Sequence, residues 1–249
     1  MTFNINIIKS QTPETNGELW INYSISEAGS GTPSFYIDRY AVENNLPVDS
    51  SKTRLAAIEA TKETELSDTY VDRTWVPNQT YIYKLIAEDE SELYTSASVS
   101  PTLRGIVITA SDGESYFSEL NWDISLTHNI TRVAVTTLAS RYPFVISNTP
   151  NDFDSGSVSA LFLEFDSERC DYINEQTWEY RKQVEKFLTK FQPILIRAED
   201  GRAWIAAVVN NTISYSKNSA LHNVVTQFEW NEIGDINKPQ DLKGFGFAI

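Results

Sequence analysis

Tyr180-Arg-Lys-Gln-Val-Glu-Lys-Phe-Leu-Thr-Lys-Phe-Gln-Pro193-Ile-Leu-Ile-Arg197-Ala-Glu-Asp200-Gly201-Arg-Ala-Trp204 is the stretch that decides the fold. Ile173, Thr177, Tyr180, Val184, Phe187, Leu188 and Phe191 recur at spacings of three and four and make one stripe of a helix. Asn174 is placed to cap it, with Glu175 in the first turn. Lys186 and Lys190 complement the dipole at the other end, and Pro193, which has no backbone donor, stops it. The spacing predicts one helix at about 174–191. Ile194–Arg197 and Ala203–Val209 then read as two strands paired across the Asp200-Gly201 turn.

Outward from this stretch the chain reads as β-structure. Ile106–Ala110, Leu120–Leu126, Thr131–Thr136, Val158–Phe165, Thr212–Ser216 and Val224–Trp230 carry strand patterns, and Leu120, Trp122, Ile124 and Leu126 are expected on one buried face. Ser111-Asp-Gly113 reads as a turn. Toward the N-terminus, Asn4–Ile8, Gly17–Ile25, Phe35–Tyr40 and Thr80–Ala87 read as strands, with Tyr81, Tyr83, Leu85 and Ala87 aligned on one face. Leu55–Leu66 is divided: propensity favours a helix, context a strand and loop. Ser98-Val-Ser-Pro-Thr-Leu-Arg-Gly105 looks like a boundary, giving domains of 1–102 and 103–249.

The totals exclude several classes. The 249 residues carry 20 basic and 34 acidic side chains, a net charge of −14, which argues against binding nucleic acid through its phosphates. The acidity reads as a solubility device, or as a surface that repels DNA inside a channel. A hydrophobic content of 41% is enough for a real core. No apolar run reaches the roughly 18 residues that span a bilayer, and no basic segment followed by an apolar one marks a secretory signal. Synthesis in the cytoplasm is the simplest expectation. Cys170 is the one cysteine, so no disulfide forms within the chain and no cysteine-based zinc site is supported.

Catalytic signals are sparse. His128 and His222 are the only histidines and read as surface or hydrogen-bonded residues. Cys170 has no nucleophile signature around it and reads as a buried or incidental thiol. Asp152-Phe-Asp-Ser-Gly156 superficially resembles a calcium loop. Its glycine stands at position five and Leu163 at position twelve, so it reads as a polar turn. No nucleophile elbow, phosphate loop or paired metal motif occurs. The expectation is no enzyme, no cofactor and no metal.

Two resemblances give these pieces a context. Trp75-Val-Pro77-Asn-Gln-Thr-Tyr81, followed by Ile-Tyr-Lys-Leu-Ile-Ala87, resembles the E–F corner and F strand of fibronectin type III domains. Asp68–Val71 would be the preceding strand, and Trp20 or Tyr23 the strand-B aromatic. That resemblance implies a β-sandwich in which the Tyr81 hydroxyl ties the corner to nearby backbone. Asn78 stands where glycine is common in that family.

The second resemblance rests on order. Thr136-Thr-Leu-Ala-Ser-Arg-Tyr-Pro-Phe144, Gly156-Ser-Val-Ser159, Tyr180-Arg with Phe187-Leu188, Pro193-Ile-Leu-Ile-Arg197 with Asp200-Gly201, and Gln227-Phe-Glu-Trp230 are similar to the β-barrel domain of phage tail-tip and baseplate proteins of the distal-tail type. Ala139-Ser140 stands where such proteins often have glycines. The resemblance implies a mainly β chain: a fibronectin type III-like sandwich followed by a split β-barrel with one flanking α-helix. It implies a structural subunit of a tail tip or baseplate, carried in the virion, that forms or decorates a ring between tail tube and host-recognition apparatus. The implied partners are copies of itself and the tube, hub or other tail-tip proteins. The alternative is a module that binds host-surface glycan or protein, with Tyr36, Tyr40 and Tyr94 stacking on sugars. Candidate interface or packing residues are Trp178, Tyr180, Arg197, Trp204 and Trp230; the corner residues are Trp75, Pro77 and Tyr81.

Overall fold

The computed structural model describes residues 2–9, 16–26, 34–58, 65–87, 93–130, 132–136, 141–146, 152–173, 177–217 and 224–249. The chain is mainly β, with 54% strand and 11% helix. Its first part holds β1 (Thr2–Lys9), β2 (Leu19–Ser26), β3 (Phe35–Glu43), β4 (Leu46–Pro47), β5 (Thr53–Ile58), β6 (Glu65–Asp72), β7 (Tyr81–Ala87) and β8 (Leu93–Thr95). A three-stranded sheet, β1-β2-β6, faces a five-stranded one in which β3 pairs with β4, β5 and β7, and β7 with β8. Alternation creates the shared core. Leu19, Ile21 and Tyr23 of β2 point inward, as do Phe35 and Ile37 of β3 and Tyr81, Tyr83, Leu85 and Ala87 of β7. Each such large apolar side chain contributes about 1.5–3 kcal/mol by leaving water. Thr53–Ile58 pairs with β3, so context overrides the helical propensity of that stretch.

The second part holds β9 (Ile106–Ala110), β10 (Ser115–Ser118), β11 (Asp123–Ile130), β12 (Val133–Val135), β13 (Phe144–Ile146), β14 (Asp152–Ala160), β15 (Glu164–Asp166), β16 (Asp171–Ile173), α1 (Thr177–Leu188), β17 (Ile194–Ala198), β18 (Ala203–Lys217), β19 (Val224–Gly234) and α2 (Pro239–Gly244). Seven strands form one antiparallel sheet in the order β10-β9-β17-β18-β19-β14-β11. Its two ends approach one another: Leu161 N–H donates to Leu120 O at 3.2 Å, and Ser118 Oγ donates to Leu161 O at 2.7 Å. Val184, Phe187 and Leu188 of α1 fill the interior of this curl, with Tyr116 edge-on to both Tyr180 and Phe187.

β17 is buried along its whole length, because both of its faces are covered. Ile194, Ile196 and Ala198 face the helix core. Leu195 joins Ile205, Ile236, Leu242 and Phe247 in a smaller core under α2, with Val76 of the first part packed against it. Arg197 points at the first part of the chain. The boundary stretch is also no free linker: Leu103, Val107 and Phe117 are buried in the first core.

Several expectations change. The helix spans Thr177–Leu188, shorter than 174–191, and the expected Asn174 cap lies outside the described residues. Phe191 takes a positive φ of 54°, which swings it off the helical stripe and leaves it exposed. Strand β11 starts at Asp123, and only Ile124 of the expected face is buried; Leu120 and Leu126 are exposed. Asp152–Gly156 belongs to β14 and is a strand, not a turn. Its glycine is required there: a Cβ on Gly156 would stand 1.9 Å from Ser125 O on the neighbouring strand. Cys170 is exposed.

Arg197 joins the two parts. Its Nη1 donates to Gly17 O at 3.0 Å and its Nη2 to Thr109 Oγ1 at 3.1 Å, while the guanidinium lies over the Trp75 ring at 4.9 Å. Gly17 has a φ of 88°, and a Cβ there would meet Arg197 Nη2 at 3.0 Å, so the approach needs glycine. Burial pulls the Arg197 pKa down, to about 10, and leaves it charged at neutral pH. Arg197→Ala strips these acceptors of their donor and opens a void beside Trp75. The expected cost is about 3–5 kcal/mol, read as a lowered midpoint in urea. A loss below about 1 kcal/mol would show that the guanidinium does not hold the junction.

Candidate functional site

Among the described residues, several exposed apolar side chains cluster on one hairpin. Strands β11 and β14 pair in register from Asp123↔Ser159 to Ile130↔Asp152, and the chain then pairs again as β12 and β13, from Val133↔Ile146 to Val135↔Phe144. Tyr142 is 71% exposed, Val145 65% and Phe144 59%; Val135, Leu126 and Ile130 are exposed as well. None of them belongs to a core cluster. Isolated apolar side chains on a surface are ordinary, but a consecutive set on one hairpin is what an interface presents before its partner covers it.

Charge is concentrated at the root of this hairpin. The two ring nitrogens of His128 each meet a carboxylate, Nδ1 with Asp154 Oδ1 at 2.8 Å and Nε2 with Asp152 Oδ1 at 2.9 Å. Only the imidazolium has a donor on both nitrogens, so this geometry belongs to charged histidine. Trp204 Nε1 donates to Asp154 Oδ2 at 2.9 Å, and Asp154 N–H donates to Glu232 Oε2 at 2.8 Å. The hydrogen bond to Asp154 raises the His128 pKa, against desolvation and with help from the charges of Asp152, Asp154 and Glu232. Burial raises the pKa of Glu232, against the Asp154 backbone donor and with the nearby aspartates adding to it. Among the described residues no group of three or more His, Cys, Asp or Glu side chains is arranged to hold a metal ion, and no helix is long and apolar enough to cross a membrane.

The residues singled out in the sequence fall in three places. Trp204 and Trp230 meet with ring centroids 4.8 Å apart and tilted planes within the second core, and Tyr180 packs partly buried against the same core, edge-on to Tyr116. Trp178 stands exposed on α1, with Lys182 Nζ 5.2 Å from its ring. Trp75, Pro77 and Tyr81 are buried at the end of the first core, where Tyr81 Oη accepts the Val76 N–H at 2.9 Å and donates to Gln79 Oε1 at 2.7 Å. Asn78 has a φ of 64°, a left-handed conformation that asparagine tolerates better than most residues. Arg197 meets Trp75, so the two quoted motifs touch in space. Tyr40 is buried beneath Lys84 and Tyr36 lies under Arg54 at 3.7 Å, so neither face is open to a sugar; the side chain of Tyr94 lies outside the described residues, as does His222. Nothing local in Arg141-Tyr-Pro-Phe144 distinguishes an exposed hairpin from a buried one.

No protein-family model matches the chain, and no curated protein does. Among solved structures, a chain from the virion of a native gene transfer agent particle is similar at 13% identity and a TM-score of 0.31, over 53% of this chain and 92% of that one. A likeness this remote leaves both role and partners to be argued from the chain's own residues.

A raised histidine pKa fixes a direction with pH. The His128 clasp adds stability below the ordinary histidine range and loses it as pH rises through the folded value. In an NMR titration, with His222→Gln used to assign the signals, His128 is expected to titrate above about 6.5 and to move down in Asp154→Asn. A midpoint that does not respond to Asp154→Asn would exclude the clasp.

Proposed function

We propose that the chain is a structural subunit of a bacteriophage or phage-like tail tip or baseplate, forming or decorating a ring between the tail tube and the host-recognition apparatus. The observation that carries this is the hairpin of β12 and β13, whose Tyr142, Phe144 and Val145 are uncovered in the single chain. Burying such residues against a neighbour is worth about 25 cal/mol per Å² of apolar area, enough to drive association once the faces align. The occupant we assign is a second copy of this chain, so that repetition around an axis closes a ring.

Further support comes from the two parts of the chain. In 1–102, two sheets close on one core and the Tyr81 hydroxyl accepts from the backbone of Val76, in keeping with the corner of a fibronectin type III-like sandwich. In 103–249, a curled antiparallel sheet packs against one face of α1, in keeping with a tail-type barrel with a flanking helix. The role is structural rather than enzymatic, and the protein travels in the virion.

Light scattering and negative-stain microscopy of the purified chain test this. The expected result is a closed oligomer that Phe144→Glu with Tyr142→Glu reduces to monomer, with the circular dichroism spectrum of the fold retained and the concentration dependence of the melting temperature lost. A wild-type chain that stays monomeric at high concentration, and stays out of assembled particles, would overturn the proposal.

A further inference from the structure

A cavity of about 330 Å³ opens at the end of the first core, where the loop after β19 meets it. Arg39 lines the cavity and is almost wholly buried. Its Nη1 donates to Asp72 Oδ2 and to Thr74 Oγ1, both at 2.8 Å. Its Nε and Nη2 meet no acceptor among the described residues, and neither is sealed from solvent. Two donors of a rigid fork are therefore turned toward the cavity.

The charges around it do not balance. Arg39 pairs with Asp72, and the neighbouring Arg73–Glu18 pair is partly exposed and complete in itself. Asp72 is already saturated, since it also accepts from Tyr83 Oη, Thr74 N–H and Thr74 Oγ1. Arg197, close enough to feel both Asp72 and Arg39, has only carbonyl and hydroxyl acceptors. Two buried guanidiniums, Arg39 and Arg197, thus share one buried carboxylate, Asp72, in a protein whose net charge is −14. A buried cationic excess is costly unless an anion completes it.

The rest of the wall adds uncharged polar groups. Ser50, Gln79 and Asn237 line the cavity, Gln79 using its oxygen on Tyr81 and keeping its amide N–H groups spare. Glu43 is the one acidic residue of the wall and is exposed. Amide and hydroxyl groups around one arginine fork match a ring that carries one carboxylate and several hydroxyls, and Glu43 accepts from a hydroxyl while disfavouring a second anionic group. The volume lies near the lower end of small-ligand pockets, roughly 300 Å³, which suits one sugar ring.

We propose that this cavity binds an acidic monosaccharide unit, a hexuronate, with its carboxylate on the Nε–Nη2 edge of Arg39 and its hydroxyls on Ser50, Gln79 and Asn237. The site is formed within a single chain and does not depend on ring assembly, so either proposal can fail without the other.

Calorimetry and NMR on the full chain, with sodium glucuronate, glucose and acetate as probes, provide the test. Glucuronate is expected to saturate and to shift the side-chain amide signals of Gln79 and Asn237, with glucose and acetate each at least about tenfold weaker. Asn237→Trp, at an exposed position on the cavity wall and outside the Arg39–Asp72 pair, fills the mouth and is expected to abolish binding while the melting temperature holds. Arg39→Lys keeps the charge but loses the fork, and is expected to weaken binding by about tenfold or more. If that variant does not fold, Gln79→Leu and Asn237→Trp decide the matter. Acetate binding as tightly as glucuronate would overturn the sugar assignment, and glucose binding as tightly would overturn the role of Arg39. No saturation by glucuronate, or binding untouched by Asn237→Trp, would overturn the site.

Discussion

One buried guanidinium holds the two parts of this protein together. Arg197 leaves water to reach Gly17 O, Thr109 Oγ1 and the face of Trp75, and desolvating a cation is expensive. The geometry repays part of that cost: a planar fork reaches two acceptors at once while its flat face rests on an indole, which a lysine ammonium cannot do. The consequence is a set of mutual constraints among distant positions. Residue 17 is glycine because a side chain would strike the fork, and residue 75 is aromatic because the fork needs a π face. The same strand that carries Arg197 sends Ile194 and Ile196 into the helix core and Leu195 into the core beneath α2. Three cores therefore share β17, so none of the three can shift independently of the other two.

What the sequence revealed follows from what is local. Alternation placed the inward faces of β2 and β7, because a half-buried strand imposes its period directly on composition. Asp200-Gly201 marked its hairpin because Gly201 takes a φ of 96°, a conformation few residues adopt. The first part of the Asp152–Ala160 strand, before Val158, was invisible for the opposite reason. Asp-Phe-Asp-Ser-Gly-Ser has the composition of a turn, and it is a strand because β11 and β19 flank it on both sides. Phe191 had the right spacing for the helical stripe, yet the left-handed turn that ends the helix carries it away from the core. The junction was the least legible of all. Arg197 and Gly17 lie 180 positions apart, Arg39 and Asp72 lie 33 apart, and no periodicity connects residues that meet only through the fold.

The distribution of charge bears on how an exposed apolar hairpin can coexist with solubility. The chain keeps its cations largely paired or buried, as in Arg39, Arg73 and Arg197, and leaves the acidic excess outside. At physiological ionic strength that excess repels other copies only out to about 8 Å, since salt screens it beyond this distance. Random collisions therefore meet like charge first. Tyr142, Phe144 and Val145 gain only when another surface fits them closely enough to expel water, a contact of a few ångström. A long-range term that rejects most approaches and a short-range term that rewards one alignment act together as a filter for orientation. At the hairpin's root, Asp152, Asp154 and Glu232 would repel each other along the same ribbon, and His128 between two of them relieves that repulsion. The apolar tip is thus presented on a root whose own charges are held in register.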